Sequence, residues 1–262
     1  MKNKSLLFLF LSIIIFSCKK DNSTEPIDQE PISQEDAIQN EIDLLPEITV
    51  SEIEQINFTK MDVGLTINNV TSTYNLLLDY DDSNRLKSVY MENDTLYSYN
   101  YQADRVNVLE NGISKTIYLN DDGIARQEQG LTNEFKYYFK NDYLLKTTEV
   151  SRYNMEYSTD GNLIHYQNGS LTADYTYIDS TTNNIRQEIL TPLTFHWSFR
   201  DKYLGNFSTN LLKTAVFHDE DLDYDYTLAF SYEYDELERV SKVIINRQAE
   251  PESSLIEYKL SY

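Results

Sequence analysis

The sequence predicts an all-β protein: an antiparallel meander of hairpin repeats, each about 20 residues long, rolled into a barrel or β-roll. The first observation is the segment 224–234, where Tyr226, Leu228 and Phe230 share one face and polar residues occupy the other, at the period of a strand. The second is a tyrosine with an Asp/Asn-rich turn that recurs along the chain. The third is the scarcity of breakers, with only 7 Gly and 5 Pro.

The recurring tyrosine and its turn define the predicted hairpins. The first six copies lie about 20 residues apart, a spacing that two strands of about six residues and two loops of about four produce. Asn111-Gly112, Asp160-Gly161 and Asn168-Gly169 supply turn residues that tolerate positive φ. A meander with one apolar face must roll up until that face covers itself. The copies begin at Tyr80, Tyr101, Tyr118, Tyr138, Tyr157, Tyr177 and Tyr234.

Two segments depart from the β pattern. Ser33-Gln-Glu-Asp36 followed by spaced apolar residues predicts a capped helix near residues 33–45, ending before Pro46. The repeat is interrupted between 187 and 217, where apolar and aromatic residues followed by Gly205 predict a second short helix near 193–204, with an aromatic-rich insertion as the alternative. Both amphipathic segments are candidates to plug or cap the ends of the barrel.

The N-terminus has the layout of an export signal. Lys2 and Lys4 precede an apolar run at 6–16, which ends in Ser17-Cys18 before an abruptly polar stretch. This resembles a bacterial lipoprotein signal, which implies cleavage before Cys18 and attachment of acyl chains such as palmitate to that residue. An ordinary secretory leader with a chance cysteine is the alternative. Lys19 favours the outer over the inner membrane, by analogy with lipoprotein sorting, and residues 18–32 are predicted to be a flexible tether.

The charge balance excludes some partners. The 22 Lys and Arg residues against 43 Asp and Glu residues give a net charge of −21. Such a surface repels nucleic acid and anionic lipid and favours solubility. Cys18 is the only cysteine, so no intrachain disulfide can form.

Two Tyr-Asp-x-x-x-Arg units, at 80–86 and 234–240, resemble the YD repeats of RHS-type proteins. Combined with the leader, the chain is similar to a bacterial lipoprotein family of unknown function that is described as having a porin-like β fold. Segment 203–213 and the final Tyr-Glu-Tyr-Asp hairpin are similar to its C-terminal half. The resemblance covers 60–262 and implies an extracytoplasmic β-roll without established activity. The predicted organisation is therefore a signal peptide at 1–17, a tether at 18–32 and a single YD-repeat-like β domain at 33–262.

The residues carry no catalytic signature. His165, His196 and His218 are not at zinc-ligand spacing, and no serine elbow, phosphate-binding loop or dinucleotide fingerprint occurs. The acidic run 219–225 is interpreted as a solvated loop-to-strand face, with a calcium site as the alternative. Trp197 and its aromatic neighbours are interpreted as packing residues, with a sugar- or peptide-binding platform as the alternative. No cofactor or metal is expected.

These observations favour a non-enzymatic binding or structural module, anchored to the outer membrane through Cys18, whose partner is a glycan or an envelope protein. The alternative is a carboxylate-based hydrolase acting on a glycan, because paired carboxylates are set by the fold rather than by sequence spacing. A membrane-embedded barrel is disfavoured, since its strands need about 9–11 residues with a lipid-facing band, whereas the repeats predict strands nearer six with charges throughout.

Overall fold

A computed structural model describes residues 33–51, 53–54, 56–129, 134–148, 153–185, 202–248 and 253–262. Within them lie one α-helix, one short 3-10 helix and sixteen strands. The helix is α1 (Gln34–Asp43), and the 3-10 helix is Lys202–Leu204. The strands are β1 (Lys60–Ile67), β2 (Val70–Tyr80), β3 (Leu86–Met91), β4 (Asp94–Tyr101), β5 (Arg105–Glu110), β6 (Ile113–Leu119), β7 (Ala125–Gln129), β8 (Glu134–Lys140), β9 (Tyr143–Thr148), β10 (Tyr153–Tyr157), β11 (Leu163–Asn168), β12 (Leu171–Thr182), β13 (Asn210–Asp219), β14 (Tyr224–Tyr234), β15 (Val240–Gln248) and β16 (Ser253–Ser261).

The strands form a closed antiparallel barrel. Each strand pairs with its neighbours along the chain, and β1 pairs with both β2 and β16. The closing seam runs in register from Lys60 opposite Ser261 to Ile67 opposite Ser254. The predicted meander is confirmed, and the choice between barrel and open roll is decided by this seam. The expectation of strands near six residues is wrong for β2, β12, β13 and β14, which have 11, 12, 10 and 11 residues.

The apolar side chains lie inside the barrel. In β14, Tyr226, Leu228 and Phe230 are buried, whereas the residues between them face outward. A round barrel of sixteen strands would enclose an aqueous channel. Here the inward side chains of Val63, Phe217 and Val243 are 0–1% exposed. Side chains therefore fill the interior, and the closed sheet must be flattened for its opposite walls to meet.

The barrel has two structurally different ends. The loop end holds the turns from each even-numbered strand to the next odd-numbered one. The hairpin end is the opposite one and holds the turns of the pairs β1–β2, β3–β4, β5–β6, β11–β12 and β13–β14, for example the two-residue turn Asn111-Gly112. Five-residue turns occur at the loop end at 81–85, 120–124, 158–162 and 235–239. In each of them the first N–H donates to the fifth carbonyl, and the fourth residue has positive φ.

The structure explains the two Tyr-Asp-x-x-x-Arg units locally. In the first unit, the carboxylate of Asp81 accepts hydrogen bonds from the backbone N–H groups of Ser83 and Arg85 and from the Arg85 side chain. Arg85 lies 4.1 Å from the ring centroid of Tyr101. The Tyr101 hydroxyl donates to the carbonyl of Leu86 at 2.8 Å. Each unit therefore ties one turn to the tyrosine of the following hairpin.

The second copy has the same contacts. Asp235 accepts hydrogen bonds from the backbone N–H groups of Leu237 and Arg239 and from the Arg239 side chain. Arg239 lies 4.2 Å from the ring centroid of Tyr262, whose hydroxyl donates to the carbonyl of Val240 at 2.6 Å. The guanidinium group lowers the pKa of Asp235, as Arg85 does for Asp81. The repetition shows that the unit is a structural device of the loop end.

The predicted N-terminal helix is confirmed, but its place in the fold differs from the expectation. The Ser33 side chain caps α1 by accepting the N–H of Asp36. Ile42 and Ile48 pack against outward-facing apolar residues of β8 and β9. A bulge in the β8–β9 pairing helps to expose this apolar patch on the outer wall, so α1 covers it rather than an end. The patch residues are Tyr138, Tyr143 and Leu145.

Two irregular segments cross the loop end instead. The first follows α1: the Thr49 N–H donates to Thr159 and the Ile56 N–H to Asn184 before β1 begins. The second comprises residues 202–210, where the Asn206 N–H donates to Asp142 and the Thr209 N–H to Gly161. Of the helix expected near 193–204, only the turn Lys202–Leu204 belongs to the described residues, and it is a 3-10 helix. Residues 193–201 lie outside the described residues.

Candidate functional site

Two polar residues buried at the loop end, Ser208 and Asn183, belong to one hydrogen-bonded network. Ser208 and Asn183 are each 1% exposed. The Ser208 hydroxyl oxygen accepts the N–H of Leu163 at 3.1 Å and lies 2.9 Å from the hydroxyl of Tyr177. The side-chain amide of Asn183 donates to the Ser208 carbonyl at 3.0 Å. This network stabilises the crossing segment, and its groups are occupied in holding the fold.

At the hairpin end, the inner face of the barrel is polar rather than apolar. There it carries charged and hydroxyl-bearing side chains that are half-buried, at positions in phase with core residues further along the same strands. Polar groups converging at a barrel mouth are a common form of ligand site. The hairpin end is therefore the candidate site. Its inward polar residues are Glu110, Lys115, Glu128, Asp219, Tyr224, Arg247 and Ser254.

One group of these residues lies on β5, β6 and β7. Lys115 stands opposite the core residue Val108, and Glu128 stands opposite the core residue Ile117, so both point inward. The Lys115 ammonium lies 3.2 Å from a Glu110 carboxylate oxygen and 3.5 Å from one of Glu128. The other Glu128 oxygen accepts the hydroxyl of Tyr137 at 2.6 Å.

In this group, Lys115 forms ion pairs with both Glu110 and Glu128. In glycosidases two carboxyl groups flank the scissile bond at about 5–9.5 Å, and the substrate oxygen lies between them. Here the ammonium of Lys115 lies in contact with both carboxylates, and its charge is complementary to theirs. Nearby, burial and then the Glu110 carboxylate raise the pKa of Tyr97 to about 12. The arrangement stabilises charged groups inside the wall and offers hydroxyl, carboxylate and ammonium groups at the mouth.

A second group lies on β14, β15 and β16. Arg247 follows Val243 and Ile245 on the inner face of β15, and its guanidinium carbon lies 5.0 Å from the ring centroid of Tyr226. Its Nη2 donates to the Tyr224 hydroxyl at 3.4 Å, a long hydrogen bond. Among the described residues, Arg247 Nε, the Tyr226 hydroxyl and the Ser254 hydroxyl are buried without a hydrogen-bond partner.

Sequence reasoning missed these residues, although the strand phase contains a signal for them. Lys115 has the phase of Ile117, Glu128 pairs with that same isoleucine, and Arg247 has the phase of Ile245. A charged residue in phase with the buried residues of its strand is expected to point inward. The phase of short strands becomes known only once their register is known, because bulges shift it in β3, β7 and β9.

The sequence-predicted candidates fall elsewhere. Cys18, His196 and Trp197 lie outside the described residues. His165 and His218 lie on the outer wall, each beside an aspartate, and the Asp225 carboxylate raises the pKa of His218. Within the described part of the chain, no three His, Cys, Asp or Glu side chains are grouped as metal ligands.

The acidic run 219–225 only partly follows its predicted alternation. Asp225 faces outward as expected, but Asp219 ends β13 on the inner face, opposite Tyr224. Its carboxylate accepts the N–H groups of Asp221 and Leu222 and so closes the turn. The run is interrupted by this turn, which the period of a single strand could not indicate.

None of the helices in the described residues has the length and apolar character needed to cross a membrane.

Comparison with known proteins identifies the fold. No protein-family model and no curated protein matches the chain. Among solved structures, a porin-like protein from Bacteroides uniformis superposes with a TM-score of 0.57 at 16% identity, over 79% of this chain and 99% of that one. A porin-like protein from Bacteroides vulgatus gives a TM-score of 0.53 at 15% identity, over 78% and 98%. The fold is porin-like.

The porin-like β fold expected from the family resemblance is thus confirmed. A relationship to RHS-type proteins and membership of a lipoprotein family stay predictions, because these two neighbours bear on the fold alone.

Proposed function

We propose that the protein is a lipid-anchored module of the cell envelope that binds a ligand at the hairpin end of its barrel and is not an enzyme. The observation that carries this proposal is the asymmetry of the interior. Apolar side chains fill the barrel and crossing segments cover the loop end, whereas inward charged and hydroxyl groups remain half-exposed at the hairpin end. Groups that neither fill the core nor close the fold are available to a ligand.

The outer wall supports anchoring rather than insertion. A transmembrane barrel has a lipid-facing apolar band outside and polar residues inside. This barrel has the reverse arrangement, with cross-strand ion pairs on its outer face: Lys87 with Asp79 at 3.3 Å, and Lys242 with Glu233 at 3.4 Å. Several strands are long enough to span a bilayer, so the burial pattern, rather than strand length, argues against insertion. In the proposal, acyl chains on Cys18 hold the barrel at the outer membrane through the tether at 18–32.

The anchor is tested by detergent phase partition of the full chain after expression with an alkyne analogue of palmitate. We expect wild-type protein to be labelled and to enter the detergent phase, and Cys18→Ala to be unlabelled. Ser17→Gly keeps a small residue before the cysteine and serves as the labelled control. Wild-type protein that is unlabelled, or Cys18→Ala protein that is labelled as strongly as wild type, would overturn the anchoring proposal.

The binding role is tested by thermal melting of the full chain with neutral glycans, acidic sugars, peptidoglycan fragments and short peptides. A ligand at about one hundred times its dissociation constant stabilises the folded state by about 2.7 kcal/mol. We expect at least one of these ligands to raise the melting temperature and to be recovered unchanged after prolonged incubation. A ligand that is cleaved, with cleavage lost in Glu128→Gln, would replace the binding module with the hydrolase.

A further inference from the structure

Arg247 differs from other arginines of the barrel. Arg85, Arg105 and Arg239 each bind a neighbouring aspartate near the loop end. Arg247 lies inside the hairpin end on the inner face of β15, and it is not a member of the ion pairs found among the described residues. The chain has 43 acidic residues against 22 basic ones, so carboxylates are abundant. An inward arginine that none of the described carboxylates pairs with is available to bind an anion from outside the chain.

The surroundings of Arg247 contain further unused polar atoms. Ser254 stands directly opposite Arg247 in the β15–β16 register, and the Tyr226 ring lies beside the guanidinium group. The hydroxyls of both residues and Arg247 Nε are buried without hydrogen-bond partners in the described part of the chain. Tyr226 is only 3% exposed. Buried polar groups are nearly always paired, so three unpaired ones on adjacent strands require an explanation.

The three atoms share one chemical property: each can donate a hydrogen bond. The Nε and Nη2 atoms form the edge of the guanidinium group that binds a carboxylate through two parallel hydrogen bonds. Nε has no partner here, and the Nη2 contact to Tyr224 is long, at 3.4 Å. The floor beside this edge is aromatic, because the Tyr226 ring stacks on Phe217 with centroids 4.8 Å apart. A carboxylate is planar and carries a single negative charge, so it fits the edge of the guanidinium group, the two hydroxyls and the aromatic ring.

We propose that Arg247, Tyr226 and Ser254 form a subsite that binds the carboxylate of a small ligand entering at the hairpin end. The proposal rests on the binding function proposed above and specifies the chemistry that the site recognises. The net charge of −21 repels polyanions, so a ligand with a single carboxylate fits better than a polymer with many. An acidic monosaccharide and the C-terminus of a short peptide both present this group.

The test is calorimetric titration of the full chain in detergent with two matched pairs of probes. D-glucuronate is compared with D-glucose, and acetyl-alanine with acetyl-alanine amide. We expect the carboxylate member of at least one pair to bind, and its neutral partner to bind at least about tenfold more weakly, because the guanidinium fork is then unused. The responding pair identifies a sugar or a peptide as the source of the carboxylate.

Variants locate the site. Arg247→Met should abolish carboxylate binding, and Arg247→Lys should weaken it about tenfold or more, because an ammonium group lacks the planar fork. Arg126→Met removes one charge from an exposed position on β7 and should leave the affinity unchanged. Melting without ligand verifies folding, since Arg247→Met also removes a buried unpaired atom and should not lower the melting temperature.

Two results would overturn the subsite. One is carboxylate binding that persists unchanged in folded Arg247→Met or Arg247→Lys protein. The other is failure of both carboxylate probes to bind wild-type protein. Binding that persists in the variants would leave the proposed binding function in place at another position. Where both carboxylate probes fail, binding of neutral glycans or peptidoglycan fragments in the melting experiment would leave that function in place, and its absence there would remove both proposals.

Discussion

The two ends of the barrel use the same residue types for different purposes. At the loop end, the hydroxyls of Tyr101, Tyr177 and Tyr262 each donate to the carbonyl of a residue that begins a neighbouring odd-numbered strand. At the hairpin end, the hydroxyls of Tyr226 and Ser254 are buried without partners in the described residues. One set of hydroxyls closes the fold, and the other contributes no bond to it.

The arginines follow the same division. Those near the loop end are held by aspartates and lie beside tyrosine rings, as Arg85 does between Asp81 and Tyr101. Among the described residues, Arg247 at the hairpin end has only the aromatic contact to Tyr226 and a long hydrogen bond to Tyr224. The difference teaches that the arginines and tyrosine hydroxyls of the loop end stabilise the fold, while Arg247 and the hydroxyls of Tyr226 and Ser254 at the hairpin end include unpaired atoms that reduce stability and can serve recognition.

The largest expected effect is that of adding one methyl group at Gly205, in the segment that crosses the loop end. Gly205 has a φ of +86°, and a Cβ there would lie 2.2 Å from the Asp142 carbonyl oxygen and 3.0 Å from Phe139. Gly205→Ala should therefore reduce the free energy of unfolding by about 3 kcal/mol or more, combining left-handed strain with overpacking. Urea unfolding followed by circular dichroism measures it.

Gly112→Ala is the matched control at the hairpin end. Gly112 has a similar φ of +82°, but nothing lies within 4 Å of the position of its Cβ. Only the backbone strain applies, and a loss of about 1 kcal/mol is expected. Equal losses in the two variants would contradict the view that the crossing segment is packed tightly onto the loop end.

An intermediate effect should separate two tyrosines of one strand. Tyr177 donates to the Leu163 carbonyl at 2.7 Å, whereas the hydroxyl of Tyr175 is buried without a partner in the described residues. Tyr177→Phe should cost about 1–2 kcal/mol, because it leaves a buried carbonyl unsatisfied. Tyr175→Phe should be neutral or stabilising, because it removes only an unpaired hydroxyl.

Denaturant midpoints of the two variants at neutral pH measure this difference. Both hydroxyls are protonated there, because burial raises both pKa values above the ordinary value of 10.0. A larger loss for Tyr175→Phe than for Tyr177→Phe would reverse the assigned roles of the two hydroxyls.

The smallest effect concerns a strained turn. Glu238 occupies the fourth position of its loop-end turn and has a φ of 60°. In two other five-residue turns of that end, the same position is occupied by Gly123 and Gly161. The Glu238 side chain is exposed. Glu238→Gly should stabilise the protein by about 0.5–1 kcal/mol through relief of left-handed strain. The shift in melting temperature reports it.

Glu236→Gly serves as the control in the same turn, since Glu236 is exposed and does not have positive φ. It removes the same charge and should be neutral or destabilising. If both variants stabilise the protein, the gain in stability comes from the lost negative charge rather than from relief of backbone strain.

Much of the fold was predictable because its causes are local. Alternation in 224–234 is the period of a strand, and β14 (Tyr224–Tyr234) has those bounds. The Asp/Asn-rich turns supply side-chain acceptors and residues that tolerate positive φ, so the turn at 120–124 forms around Asn120 and Gly123. Ser33 followed by Asp36 caps α1 within four residues. Each of these features depends on neighbours within one or two turns of chain.

The site was not predictable in the same way. Lys115 and Glu128 meet because β6 and β7 pair in one register, and a bulge beside Tyr118 sets which residues face inward. Arg247 and Ser254 face each other because β15 and β16 pair in one register. A shift of one residue would move each of these side chains to the outer wall.

By itself, then, the sequence determined the strands, the turns, the capped helix and the acidic charge balance of the chain, since period, turn chemistry and charge are properties of short segments. Only the tertiary structure decided that the meander closes, with Lys60 beside Ser261, and that one end is covered while the other presents Arg247. Closure of the barrel, and the direction in which each side chain points, depend on pairing between residues far apart in the chain. That pairing is set by burial of the whole inner face at once.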